Sequence, residues 1–171
     1  LYQEAQRRGI LTLRVNLLVT ADNFDAIRRL GLRTGFGDHW LRFGGVKVFV
    51  DGAIGGRTCL LDQPFTGGDG RAIQVTSTEE LGRIVRAAHE AGCRVAAHAN
   101  GDRAISILLD QLDAAQAAQP RVDVHHRIEH CTVITEEILA RMKRLGAIAV
   151  PFGSYVHYYG GKLVEWYGAE R

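Results

Sequence analysis

Short apolar runs alternate with stretches of helical period along the chain. The runs are LRVNLLV at 13–19, VKVFVD at 46–51, RVAAHA at 94–99, VHHRIEH at 124–130 and AIAVPF at 147–152. β-branched and aromatic residues dominate them, which predicts five strands. Residues 1–9 read as the end of a helix stopped by Gly9, and Asp22 as the cap of a short helix whose last turn holds Arg28 and Arg29. Ser77 and Glu80 form an S-x-x-E capping box before a helix that buries Leu81, Ile84, Val85 and Ala88 and ends at Gly92. The next helix carries Ile105, Leu108, Leu109 and Leu112 on one face and stops before Pro120. Thr135 caps another, with Glu136 and Glu137 in its first turn, basic residues in its last and Gly146 beyond. Residues 52–76 fit no element. Loops in α/β units usually run about 2–6 residues, so this long segment with Pro64, Gly67, Gly68 and Gly70 is expected to be a functional lid.

Strand–helix alternation with short apolar strands predicts an α/β fold, a parallel sheet covered by helices on at least one side. A closed (β/α)₈ barrel needs eight strands and about 250 residues, whereas a doubly wound sheet of five would suit 171 residues. No G-x-G-x-x-G follows a first strand, which removes the usual support for a complete dinucleotide-binding domain. Apolar content of 46% and charged content of 23% are those of a globular chain, and a net charge of +2 favours neither nucleic acid nor membrane as a partner. The three cysteines, Cys59, Cys93 and Cys131, form no CxxC pair and fit reduced thiols. No apolar run is long enough to span a bilayer. Leu1 already lies inside a helical pattern, so the chain is expected to be a piece of a longer one.

In parallel α/β folds, functional groups collect at the carboxyl ends of strands. His98 and His130 both sit there. Strict alternation along VHHRIEH places His126, Ile128 and His130 on one face and Arg127 and Glu129 on the other. Neutral imidazole is a common metal ligand, although each histidine taken singly reads as structural, as does His89 on its helix. Lys47 interrupts an otherwise apolar strand. A lysine at a strand start with its ammonium in water is the plain explanation. A lysine shielded from water has a lowered pKa, and its neutral amine can add carbon dioxide to give a carbamate with two metal-binding oxygens.

Taken in order, VKVFVDG, HANGDRA and RIEHC resemble the amidohydrolase superfamily, within it the YtcJ-like branch (amidohydrolase family 3). DGAIGGRT, the long loop and the stretch from VHYYGG to GAER extend the resemblance over nearly the whole chain. It implies a distorted TIM barrel holding one or two divalent metal ions, zinc foremost. It also implies hydrolysis of carbon–nitrogen bonds other than peptide bonds by metal-activated water. By resemblance, Lys47 matches the strand-four lysine that many members carboxylate. His98 and His130 match the strand-five and strand-six ligands, and His157, after strand seven, a substrate-facing catalytic histidine. A rim histidine beside Tyr155, Tyr158 and Tyr159 is the alternative for His157. The strand-one His-x-His and the strand-eight aspartate of the family are absent. Residues 1–171 are therefore expected to be the central part of a barrel domain, strands three to seven, with its N-terminal and C-terminal parts missing, and neither active nor robustly folded alone. A small-molecule substrate, no nucleic-acid or membrane partner and a cytoplasmic location are expected, and a homo-oligomer is compatible. The competing expectation keeps the fold and removes the chemistry: an α/β domain that packs or binds without catalysis.

Overall fold

The computed structural model describes residues 1–66 and 70–169. Among these, five strands form one sheet: β1 (Val15–Thr20), β2 (Leu41–Phe49), β3 (Val95–Ala99), β4 (Arg127–His130) and β5 (Ile148–Pro151). Each pairs in parallel with its neighbour in sequence, giving the order β1-β2-β3-β4-β5. A doubly wound sheet reverses its strand order at a switch point. This sheet never reverses, so it is the open arc of a barrel, as the alternation and the resemblance predict. The helices are α1 (Tyr2–Arg7), α2 (Phe24–Arg29), α3 (Thr78–Glu90), α4 (Asp102–Ala118), α5 (Glu136–Leu145) and α6 (Gly153–Tyr167).

One face of the sheet makes the core. Val46, Val48, Val50, Val95, Ala97, Ala99 and Ile128 pack against Leu81 and Val85 of α3, Ile105 and Leu109 of α4, and Ile138 of α5. α3 and α5 begin as their sequences predict. Ser77 Oγ accepts from the Glu80 N–H at 3.2 Å, and Thr135 Oγ1 from the Ile138 N–H at 3.2 Å. Asp22 is no cap. It lies in a 3₁₀ turn over Ala21–Asn23, and α2 starts after Asn23 without a side-chain cap bond.

β2 starts at Leu41, earlier than its apolar run indicates. Gly44 and Gly45 break the pattern because they form a bulge: Leu17 pairs with Phe43 and Leu18 with Gly45. The extra residue shifts the core-facing positions from Leu41 and Phe43 to Val46, Val48 and Val50, all buried. Gly45 has φ +145°, and a Cβ there would lie 2.4 Å from the Arg94 carbonyl oxygen. Glycine is what lets β2 and β3 approach at this point.

β4 starts later than predicted, at Arg127. Asp123 and His125 have φ of 54° and 52°, so the chain before β4 is turned, not extended. The turn places His126 against His89 of α3, and both rings are buried. His126 Nδ1 accepts from the Val95 N–H at 3.0 Å, so its proton sits on Nε2, 3.1 Å from His89 Nδ1. The far nitrogen of His89 then donates to the Gln119 carbonyl at 2.8 Å. Both rings are fully satisfied only when neutral. Burial, then the neighbouring His89, Arg121 and Arg94, push the His126 pKa down to about 3 from 6.5. The folded state thus resists a proton that the unfolded chain accepts. The stabilisation is complete above about pH 6.5 and is lost as pH falls toward 3, at up to ~1.4 kcal/mol per pH unit. Urea midpoints between pH 7 and 4 should fall accordingly. His126→Asn, whose carbonyl can still accept from Val95, should flatten that slope. A wild-type slope unchanged by His126→Asn would show that the pair does not set it.

Candidate functional site

The face opposite the core carries the polar residues. Register places Lys47, Ala96 and Arg127 in one row and Phe49, His98 and Glu129 in the next, toward the strand ends. Phe49 is 45% exposed, and Lys47, His98, Arg127, Glu129 and His130 are half-buried.

His130 belongs by strict alternation with Ile128, in the core. It escapes because its backbone takes φ +74°, followed by Cys131 at +46°. This left-handed pair is costly for non-glycine residues and ends β4 by turning the imidazole to the other face. The ring meets His98 edge-on, centroids 4.4 Å apart, and stacks on Phe152 at 4.7 Å. Burial, then the adjacent His98 and Lys47, hold the His130 pKa below its ordinary value, so the ring keeps a free lone pair near neutrality.

His98 is oriented by its neighbours. Its Nε2 donates to the Gly52 carbonyl at 2.9 Å, which leaves the lone pair on Nδ1. Asn100 Nδ2 donates to the same carbonyl at 2.9 Å, and Asn100 Oδ1 accepts from Thr132 Oγ1 at 2.9 Å. Lys47 Nζ lies 4.3 Å from the centre of the Phe49 ring, which in turn sits 5.4 Å from that of His98. Burial lowers the Lys47 ammonium to about 8, with Glu129 raising and Arg127 lowering it by smaller amounts. Arg127 and Glu129 are locked in a two-bond pair at 2.7 and 3.2 Å, which leaves Lys47 without a dedicated carboxylate.

Asp51, which sequence reasoning did not single out, ties these pieces together. It is buried at the end of β2. Its Oδ1 accepts from the Asn100 N–H at 3.0 Å, and its Oδ2 from Gly101 and Leu60, each at 2.9 Å. Burial raises its pKa, while the three N–H groups and His98 pull the other way. Gly101 is needed there, since a Cβ would lie 1.9 Å from the Leu60 carbonyl oxygen. A buried carboxylate directly after an apolar strand was the available signal.

The long loop is a built structure. Val75 N–H donates to the Val50 carbonyl at 2.9 Å, and Asp51 bridges to Gln74. Ile54, Cys59 and Leu61 form a second small core with Val133 and Tyr167, whose hydroxyl donates to the Ile54 carbonyl at 2.7 Å. Gly67 and Gly68 lie outside the described residues. All three cysteines are free and buried.

The aromatic segment after β5 is the helix α6. Tyr155 meets Phe152 at 4.9 Å and Tyr159 at 5.8 Å, on the side toward His130. His157, two residues after Tyr155, points another way on a helix. It is exposed and meets Tyr158 edge-on at 4.8 Å. The structure therefore brings Lys47 and His98 to Phe49 and His130 to His98, and leaves His157 apart from them.

Two imidazoles and a half-buried amine suit a divalent cation, but they are an incomplete set. Among the described residues, no three His, Cys, Asp or Glu side chains gather as a metal site. Nor is any helix long and apolar enough to cross a membrane.

A sequence profile of the amidohydrolase family matches residues 1–170. The chain is 35% identical over 145 residues to YtcJ, named as an amidohydrolase, of Bacillus subtilis (strain 168), covering 84% of this chain and 26% of that protein. It is 31% identical over 137 residues to the Arabidopsis thaliana protein LONG AFTER FAR-RED 3, covering 77% of this chain and 23% of that one. A crystal structure of an uncharacterized metal-dependent hydrolase from Pyrococcus furiosus superimposes with a TM-score of 0.84 at 30% identity, over 99% of this chain and 34% of that one. Its Pyrococcus horikoshii OT3 counterpart gives 0.83 at 31%, over 99% and 33%. The chain thus spans about a quarter of the length of the curated relatives it matches.

Proposed function

The chain belongs to the amidohydrolase family, and we propose that it supplies one side of a metal-dependent centre that hydrolyses carbon–nitrogen bonds other than peptide bonds. Lys47, His98 and His130 would hold the divalent ion, zinc by the nature of the donors. The observation that carries this reading is the left-handed turn at His130, which brings its ring to 4.4 Å from His98 on the face of Lys47. A core histidine would need no such turn. Bound metal would supply a Lewis acid for the substrate carbonyl and lower the pKa of water.

The chain's own residues prepare that site. Gly52 fixes the His98 tautomer, and Asp51 fixes the backbone of Asn100 and Gly101 after His98. Phe49 and Phe152 shield the amine and the His130 ring from water. Depression of the Lys47 ammonium makes neutral amine available for carbamate formation near neutral pH. The lid over 52–76 and α6 would close the carboxyl end of the sheet over a small-molecule substrate.

Chelation of the full-length protein followed by zinc addition tests this. Hydrolysis of small N-acyl amides should vanish with the metal and return with zinc, while peptides stay uncut. Amide turnover that survives complete metal removal would sink the reading.

A further inference from the structure

Beside the proposed centre lies a cavity of about 290 Å³ between the lid and α6. Ile54 and Gly55 of the lid, and Tyr155, Tyr159, Lys162 and Trp166 of α6, form its walls. Packed rings join its wall to the centre: Tyr155 meets Phe152, which stacks on His130. Two cations address the indole of Trp166. Arg57 lies 5.6 Å and Lys162 6.0 Å from its ring centre. Neither has a carboxylate partner among the described residues. The cavity therefore combines aromatic and aliphatic walls with the Lys162 ammonium, which has no ion-pair partner among the described residues.

We infer that this cavity is the specificity pocket of the site and takes the ring-bearing, carboxylate-carrying part of the substrate. The inference rests on the proposed function for the reaction but not for the binding. Tyrosine and tryptophan faces select a planar ring, which gains from stacking and area burial. Lys162 at the same wall pairs with an acidic substituent, which makes N-acyl aromatic amino acids and related aryl acids the fitting substrate class. Gly55 is part of the cavity wall. A Cβ placed there meets no heavy atom within 4 Å, so a larger side chain enters open space at the cavity wall without a clash.

The test is calorimetric binding of 3-phenylpropionate, propionate and 3-phenylpropanol to the full-length protein, with metal and after chelation. 3-Phenylpropionate should bind in both forms, and propionate and 3-phenylpropanol each at least about tenfold more weakly. Lys162→Gln should weaken 3-phenylpropionate by roughly tenfold while leaving 3-phenylpropanol unchanged. Gly55→Leu should abolish binding, and Tyr159→Ala, whose ring lines the cavity but is 48% exposed, should weaken it while leaving the melting temperature in place. Absence of binding to the wild type, or binding that Gly55→Leu leaves intact, overturns the pocket. Equal affinity of the acid and the alcohol overturns the carboxylate assignment. Because the metal-free protein is included, metal-dependent turnover can fail while this pocket stands, and the reverse.

Discussion

Replacing Lys47 with alanine in the full-length protein should lower amide hydrolysis by at least roughly a hundredfold, since losing even an outer partner of a metal ligand costs 10–100-fold. The lysine contributes nothing obvious to the core. Its side chain lies on the face opposite Val46 and Val48, and its ammonium lies over the Phe49 ring and 3.4 Å from the Val48 carbonyl. A structural role predicts a small effect on activity and a change in melting temperature. A carbamate role predicts the reverse, with a further signature: short carboxylic acids such as propionate should restore part of the Lys47→Ala activity by occupying the vacated space. Lys47→Arg should stay inactive and unrescued, because guanidinium cannot carry the carbamate and still fills the site. Full activity in Lys47→Ala would end the carbamate reading.

Asp51→Ala is expected to have the largest effect on stability. It strands three backbone N–H groups, from Leu60, Asn100 and Gly101, at a carboxylate only 2% exposed. Leaving such donors unpaired costs about 1–3 kcal/mol each, so a total near 3–5 kcal/mol is expected once the site relaxes. Asp51→Asn keeps one acceptor oxygen and should lose less. Thermal unfolding of the three proteins gives the ranking, and metal content should fall with it, since the loop that carries Gly52 holds His98. An Asp51→Ala protein that melts with the wild type would show that the lid does not depend on this carboxylate.

Much of this was legible before any coordinates. Periodicity located all five strands and the capped helices, because Ser77 and Thr135 have local partners three residues on. Position in sequence also nominated Lys47, His98 and His130, which come together on one face. What stayed hidden depended on backbone conformation. Gly44 and Gly45 lie outside the apolar run at 46–51, although their bulge is what carries β2 back to Leu41. Alternation sent His130 toward the core, and only its φ of +74° reveals where the ring goes. Asp51 was missed because its partners are backbone N–H groups up to 50 residues away. The segment around His157 gave no helix signal through its glycines and tyrosines. Its helical form is what separates His157 from Tyr155, Tyr159 and the pocket.

Metal stoichiometry of purified full-length protein, by inductively coupled plasma mass spectrometry, bears most directly on the centre. The wild type should carry one or two equivalents of a divalent metal, zinc foremost, and His98→Ala and His130→Ala should each lose at least half of it while keeping their fold by circular dichroism. Unchanged metal content in both variants would contradict the assignment of Lys47, His98 and His130 as one face of a metal site.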